Sequence, residues 1–135
     1  MGSVIFADTS AIVAILLNES DARILSRALA SAERRLGSAA VRLETCMVLA
    51  SRRDLPPLRA QEFFDAFVVR VGMIEIPIDE RIGRLAVDCF DRYGKGRHAA
   101  RLNFGDCLSY ACAKALSAPL LYKGDDFAKT DVNVE

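Results

Sequence analysis

The sequence predicts an α/β fold, a single domain over residues 1–135. A mainly parallel sheet of four or five strands is covered by helices on both faces. Three observations carry this reading. Short apolar runs recur along the chain, each bounded by polar or turn-forming residues, as strands buried on both faces require. Stretches of helical period separate those runs, so consecutive strands are joined by crossovers and lie parallel. Helical pattern also takes up so much of the 135 residues that four or five strands is the most the chain can hold.

The first strand is the apolar run Val4, Ile5, Phe6, Ala7, which ends abruptly at Asp8. Thr9 or Ser10 then caps a helix over 11–17. Asp8 therefore lies at the carboxyl end of a central strand, where open α/β sheets bind ligands, although it could equally serve only to cap the helix. Asp21 or Ser20 caps a second helix over 22–30, with Ile24, Leu25, Ala28 and Leu29 on one stripe. Residues 35–38 are a short strand candidate. A helix follows over 39–53, with Val41, Met47, Val48 and Leu43 as its inward candidates. Pro56 and Pro57 end it, and Pro57 suits the first turn of a helix over 58–71 whose apolar side is Phe63, Phe64, Phe67, Val68 and Val71. Residues 73–76 form a third strand candidate. Asp79 caps a helix through Ile82, Leu85, Ala86, Cys89 and Phe90 to Tyr93. A basic loop over 94–101 leads to Asn103, which caps a helix reaching Leu116. Residues 120–122 make a fourth strand, and 132–134 are the candidate for a last edge strand.

Composition narrows the possible functions. Hydrophobic residues make up 52% and charged residues 27%, a profile of compact folded chains rather than disordered ones. The formal net charge is zero, so no global field draws the chain to nucleic acid and any such contact must be local. Asp8 interrupts the first apolar run, which has no basic start, so it does not read as a signal peptide, and 11–17 is too short to span a bilayer. Four cysteines without a C-x-x-C pair read as buried, reduced thiols, and the expected location is cytoplasmic. With one histidine and no ligand-spaced cluster, a zinc site is not expected.

The acids carry the chemistry. Glu44 has Val41, Met47 and Val48 at i−3, i+3 and i+4, a spacing that sets its carboxylate on the apolar face of its helix. Such a group needs a partner: an arginine from elsewhere, a position at the edge of the stripe, or a cation. Asp106 follows Asn103 by three residues, as in a capping box, and caps of this kind stabilise a helix by about 0.5–2 kcal/mol. The same placement holds its carboxylate at a helix N-terminus. Asp125 and Asp126 follow the apolar run 120–122 and repeat the design of the opening stretch, though Gly-Asp-Asp is also ordinary turn chemistry. Carboxylates converging in one cleft repel each other, and a hard divalent ion such as Mg²⁺ or Mn²⁺ relieves that repulsion. The matching reaction is phosphodiester hydrolysis. A two-histidine nuclease cannot be built around the single His98, and no P-loop is present.

The stretches 4–11, Arg42-Leu43-Glu44, Leu102-Asn103-Phe104-Gly105-Asp106-Cys107-Leu108-Ser109-Tyr110-Ala111 and Leu121-Tyr122-Lys123-Gly124-Asp125-Asp126-Phe127 together resemble PIN-domain proteins, and more narrowly the VapC-type toxins of type II toxin–antitoxin systems. The resemblance covers essentially the whole chain in order. It implies a three-layer α/β/α sandwich and an acidic cleft holding Mg²⁺ or Mn²⁺. It also implies an endoribonuclease acting on RNA such as tRNA or rRNA, a homodimer, and inhibition by a cognate VapB-type antitoxin. Carried over by position, Asp8 and Asp106 match the principal metal-binding aspartates and Glu44 the acid between them. Ser10 matches the hydroxyl beside the first aspartate, with Thr9 in the same turn. The fourth acid is Asp125 or Asp126, with Asp125 favoured as the one facing the cleft. Lys95, Arg97 and Arg101, with Arg92 and His98 nearby, form the candidate RNA-contact patch; a merely solvated loop is the other reading. A metal-dependent nuclease acting on DNA or flaps, and a catalytically inactive protein-binding domain, are the competing functions.

Overall fold

The structure, a computed structural model, describes residues 2–133. The strands Val4–Ala7 (β1), Arg34–Ser38 (β2), Met73–Ile76 (β3) and Leu120–Leu121 (β4) form one sheet in the order β3-β2-β1-β4, all pairs parallel. Helices Thr9–Leu16 (α1), Ala22–Ser31 (α2), Ala39–Arg53 (α3), Pro57–Val71 (α4), Glu80–Tyr93 (α5) and Phe104–Ala115 (α6) flank it, and a 3₁₀ turn, Phe127–Lys129, follows β4. This is the expected α/β/α arrangement, with four strands among the described residues.

The core runs across the sheet through Phe6, Ile12, Leu29, Phe64, Phe67 and Cys112, all essentially inaccessible to water. Burying a side chain the size of Phe64 or Phe67 stabilises the fold by roughly 1.5–3 kcal/mol. Local signals set the boundaries. Ser38 Oγ accepts from Val41 N–H at 3.3 Å to start α3, and Asp79 Oδ1 accepts from Ile82 N–H at 3.0 Å to start α5. Gly72, at φ +65°, closes α4 in a left-handed turn.

The topology decides where a ligand can sit. From β1 the chain moves to β2 on one side, and β4 later pairs with β1 on the other side. Strand order thus reverses at β1, and the carboxyl ends of β1 and β4 border the crevice that such a switch point opens. Phe6 N–H bonds to Pro119 O and Asp8 N–H to Leu121 O, both at 2.9 Å, so the ladder holds Asp8 at the mouth.

Several expectations change. Asp8, rather than Thr9 or Ser10, is the residue that caps α1. Asp21 precedes α2 without a side-chain capping bond. On α3 the buried stripe is Val41, Thr45, Cys46 and Leu49, while Leu43 and Met47 are about 60% exposed (62% and 61%). Thr45 carries the difference: fully buried, it centres the stripe one position away from where apolar residues alone place it. Phe63 and Phe90 also lie half exposed, outside the core stripes of α4 and α5. No strand forms at Val132 or Asn133, which lie in a turn, and Val134 falls outside the described residues. Instead the Asn133 side chain closes the edge of β4: its Oδ1 accepts from Leu120 N–H at 2.7 Å and its Nδ2 donates to Leu120 O at 2.9 Å. One amide thereby satisfies both backbone groups that an edge residue would leave open. All four cysteines are buried and unbridged, and no helix among the described residues is long and apolar enough to cross a membrane.

Candidate active site

Asp8 is 3% exposed, a burial that a carboxylate tolerates only with partners. Its Oδ2 accepts from Ser10 N–H at 3.0 Å and from Ser10 Oγ at 2.6 Å. Ser10 Oγ in turn accepts from the backbone N–H of Lys123 at 3.0 Å, which ties the exit of β4 to the first aspartate. Thr9 points the other way, and its Oγ1 donates to Glu44 Oε1 at 2.8 Å. Two successive hydroxyls thus orient two acids from different elements. Among the described residues Glu44 takes no arginine partner, and it sits at the edge of the α3 stripe, half-buried.

Asp106 comes from the first turn of α6. It forms a complete capping box with Asn103: Asp106 N–H donates to Asn103 Oδ1 at 2.9 Å, and Asn103 N–H donates to Asp106 Oδ2 at 3.0 Å. Gly105 lies directly against Glu44, and a Cβ there would overlap the Glu44 carboxylate. The absence of a side chain at position 105 lets α6 bring Asp106 in beside α3.

Asp8, Glu44 and Asp106 line one open cavity of about 380 Å³. Burial pushes the Asp106 carboxyl up to about 6, and the negative charges of Asp8, Glu44 and Asp126 add to that, against the lowering bond from Asn103. Glu44 is raised for the same reasons, by burial first and then by Asp8, while the Thr9 bond opposes the shift. Mutual repulsion is the signature of acids gathered in one place, and such a place favours a cation.

Other sequence candidates separate from this group. Asp125 and Asp126 are both exposed in the turn after β4 and neither lines the cavity. The charge of Asp126 acts on Asp106. Lys95, Arg97 and Arg101 lie on the exposed loop between α5 and α6, outside the cavity wall. Arg97 is engaged by Asp91, bonding its backbone O at 3.2 Å and its Oδ1 at 3.1 Å. His98 accepts from Ala100 N–H at 2.9 Å and packs edge-on against Tyr93, a structural role in the loop. Arg92 reaches away from the loop to Asp131 at 3.2 Å.

The cavity also contains residues that the sequence did not single out as site candidates: Glu19, Arg52 and Lys123. They come from the turn after α1, the last turn of α3 and the exit of β4. No periodicity or spacing links residues so far apart in the chain; only the sheet order does.

Residues 5–133 match the family model described as PIN domain. The chain is 45% identical to a Ribonuclease VapC of Mycolicibacterium smegmatis, over 93% of this chain and 95% of that protein. It is 47% identical to Ribonuclease VapC28 of Mycobacterium tuberculosis, over 93% of this chain and 92% of the relative. The fold is shared with the crystal structure of Mycobacterium tuberculosis VapC20, described as a sarcin–ricin loop cleaving toxin. That match has a TM-score of 0.70 and 22% identity, and covers 92% of each chain. With a strand-end aspartate, a helix-borne glutamate and a capping-box aspartate gathered at the switch point of the sheet, the chain belongs to the PIN-domain family and, within it, to the VapC ribonucleases.

Proposed function

We propose that this protein is a divalent-metal-dependent endoribonuclease, the toxin of a type II toxin–antitoxin pair. The observation that supports this most is the convergence of Asp8, Glu44 and Asp106 on one cavity, with Asp106 pushed up to about 6 by burial and by its acidic neighbours. The relatives named as ribonucleases supply the substrate class.

The donor set suits Mg²⁺ or Mn²⁺. Every cavity acid offers hard oxygen, and the hydrogen bonds to Asp8 and Asp106 fall on Oδ2, leaving Oδ1 of each without a hydrogen bond among the described residues. Among the described residues no three acids, imidazoles or thiols stand close enough to enclose an ion by themselves. An ion held there would need water or substrate oxygens beside the carboxylates. Asp8 and Asp106 would hold it, with Glu44 and Asp126 in support. When bound, such an ion supplies Lewis acidity toward water and toward a phosphate oxygen. The chain's own residues do the rest. Ser10 and Thr9 orient Asp8 and Glu44 through their hydroxyls, and the capping box keeps the Asp106 carboxylate turned toward the cavity. Glu44, raised by burial, is placed to accept a proton from the attacking water.

Purified protein incubated with RNA and with DNA, in Mg²⁺, Mn²⁺ or chelator, tests the reading. RNA is expected to be cut in Mn²⁺ or Mg²⁺ and to survive in chelator. Asp8→Asn and Asp106→Asn should each cost more than the roughly 10–100-fold lost when an outer-shell partner of a metal is removed. Chelator-insensitive cleavage, or cleavage surviving both substitutions, overturns the metal mechanism; cutting of DNA alone favours the flap-nuclease function. The antitoxin partner is checked by co-expression with the product of a small adjoining reading frame, which should suppress cleavage. The homodimer is checked by sedimentation.

A further inference from the structure

The wall of the same cavity carries two cations held by a fourth acid. Glu19 Oε1 accepts from Lys123 Nζ at 2.6 Å, and Glu19 Oε2 accepts from Arg52 Nη1 at 3.0 Å. Asp21 Oδ1 stands 3.3 Å from the same ammonium. All three of Glu19, Arg52 and Lys123 line the cavity shared by Asp8 and Asp106. A lysine and an arginine that meet only one another's counter-ion on an exposed surface are worth little to stability. Here they are fixed at the mouth of an acidic cavity, and the backbone N–H of Lys123 is bonded to the very hydroxyl that orients Asp8.

We propose that Lys123 and Arg52 are phosphate-contacting residues of the substrate strand, and that Glu19 is their positioning residue; the assignment rests on the ribonuclease reading above. Cations on the wall of an acidic cavity favour the entry of a polyanion. Asp8, Glu44 and Asp106 present up to three negative charges to a polyanion, and a single divalent ion leaves that wall negative. The chain's net charge of zero offers no general attraction to compensate. Arg52 spends Nη1 on Glu19, and its remaining N–H groups have no hydrogen-bond partner among the described residues. The Lys123 ammonium has three N–H groups, of which one goes to Glu19 and a second faces Asp21 Oδ1 at 3.3 Å. Both cations therefore keep donors for phosphate oxygens while Glu19 holds their charged ends in place, so less side-chain freedom is lost when the strand binds. The exposed loop carrying Lys95, Arg97 and Arg101 lies outside this cavity, and Arg97 is already engaged by Asp91.

Binding of a labelled single-stranded RNA in chelator, measured over a series of salt concentrations, tests the assignment without involving cleavage. Each phosphate contact removed from a single strand lowers the slope of log K against log salt by about 0.7. Lys123→Met and Arg52→Met, which keep much of the aliphatic stem, are expected to lower it by about that amount each, and the double variant by about twice as much. Lys123→Arg should restore the wild-type slope. Glu19→Gln should leave the number of contacts, and hence the slope, nearly unchanged while weakening binding. Mn²⁺ affinity by calorimetry should stay within about twofold for all of them, and melting curves report the fold. A double variant that remains folded yet keeps the wild-type slope overturns the assignment, as does a slope that falls only on charge reversal of Arg97 and Arg101. If the Met variants do not fold, Lys123→Gln and Arg52→Gln are read in the same way. A wild-type protein that cleaves RNA while the double variant keeps its slope sinks this assignment alone; a wild-type protein that neither binds nor cleaves RNA sinks the ribonuclease reading and this assignment together.

Discussion

At the scale of single residues, the site is a compromise between stability and ligand binding. Asp106 is protonated more readily in the folded chain, near 6, than an ordinary aspartate near 3.8. Between those values the native state binds more protons than the unfolded one, so this group makes stability fall as pH rises from about 4 to 6. Above pH 6 the full electrostatic cost is in place. Asp106→Asn keeps an acceptor for Asn103 N–H and removes that cost. Denaturant unfolding in chelator should show the variant about 1–2 kcal/mol more stable than wild type at pH 7.5, and nearly equal to it below pH 4, while cleavage is lost. Gly105 gives a second residue-level test. Gly105→Ala sets a methyl group against the Glu44 carboxylate and should cost about 1–3 kcal/mol as well as activity. Combining it with Glu44→Ala should recover much of the stability loss but none of the activity, a non-additivity that a double-mutant cycle measures directly. Asp8 and Ser10 were legible in the sequence because a short strand ending in Asp-Thr-Ser is a local pattern. The effect of the Asp126 charge on Asp106 was not, since it depends on where α6 packs against the turn.

At the scale of elements, helix boundaries follow local chemistry and helix faces do not. Pro57 opens α4, Asp79 caps α5 and Asn103 caps α6 where the pattern predicts, because a cap is an interaction over three or four residues. The face that α3 buries depends on what packs against it. Thr45 disappears into the interior and Met47 turns outward, a rotation the apolar pattern could not show. The C-terminal segment makes the same point. Its alternating Val-Asn-Val pattern suggested an edge strand, yet the described part places a turn there and uses the Asn133 amide to complete β4. Asn133→Ala removes a donor and an acceptor from the backbone of Leu120 and should cost about 1–3 kcal/mol in equilibrium unfolding. Faster hydrogen exchange at Leu120 N–H should accompany it; an unchanged exchange rate would refute the role given to that side chain.

At the scale of the whole molecule, the sheet order makes one site from acids 36 and 62 residues apart (Asp8, Glu44 and Asp106). An ion bound there stabilises the native state by mass action. Mn²⁺ at a hundred times its dissociation constant should raise the unfolding free energy by about 2.7 kcal/mol, and Asp106→Asn should abolish most of that increment. A thermal shift of equal size in wild type and variant would place the ion elsewhere. By itself the sequence determined the class of fold, the order of strands and helices, the caps at Asp79 and Asn103, and the acids proposed to carry the chemistry. Each of these is written in contiguous residues or in one helical period. The tertiary structure alone decided which face of α3 is buried, and that Glu19, Arg52 and Lys123 share a cavity with Asp8. The physical reason is that burial and Coulomb interaction depend on distance in space. A chain of parallel strands brings together residues such as Glu19 and Lys123, 104 positions apart, that no local pattern can pair.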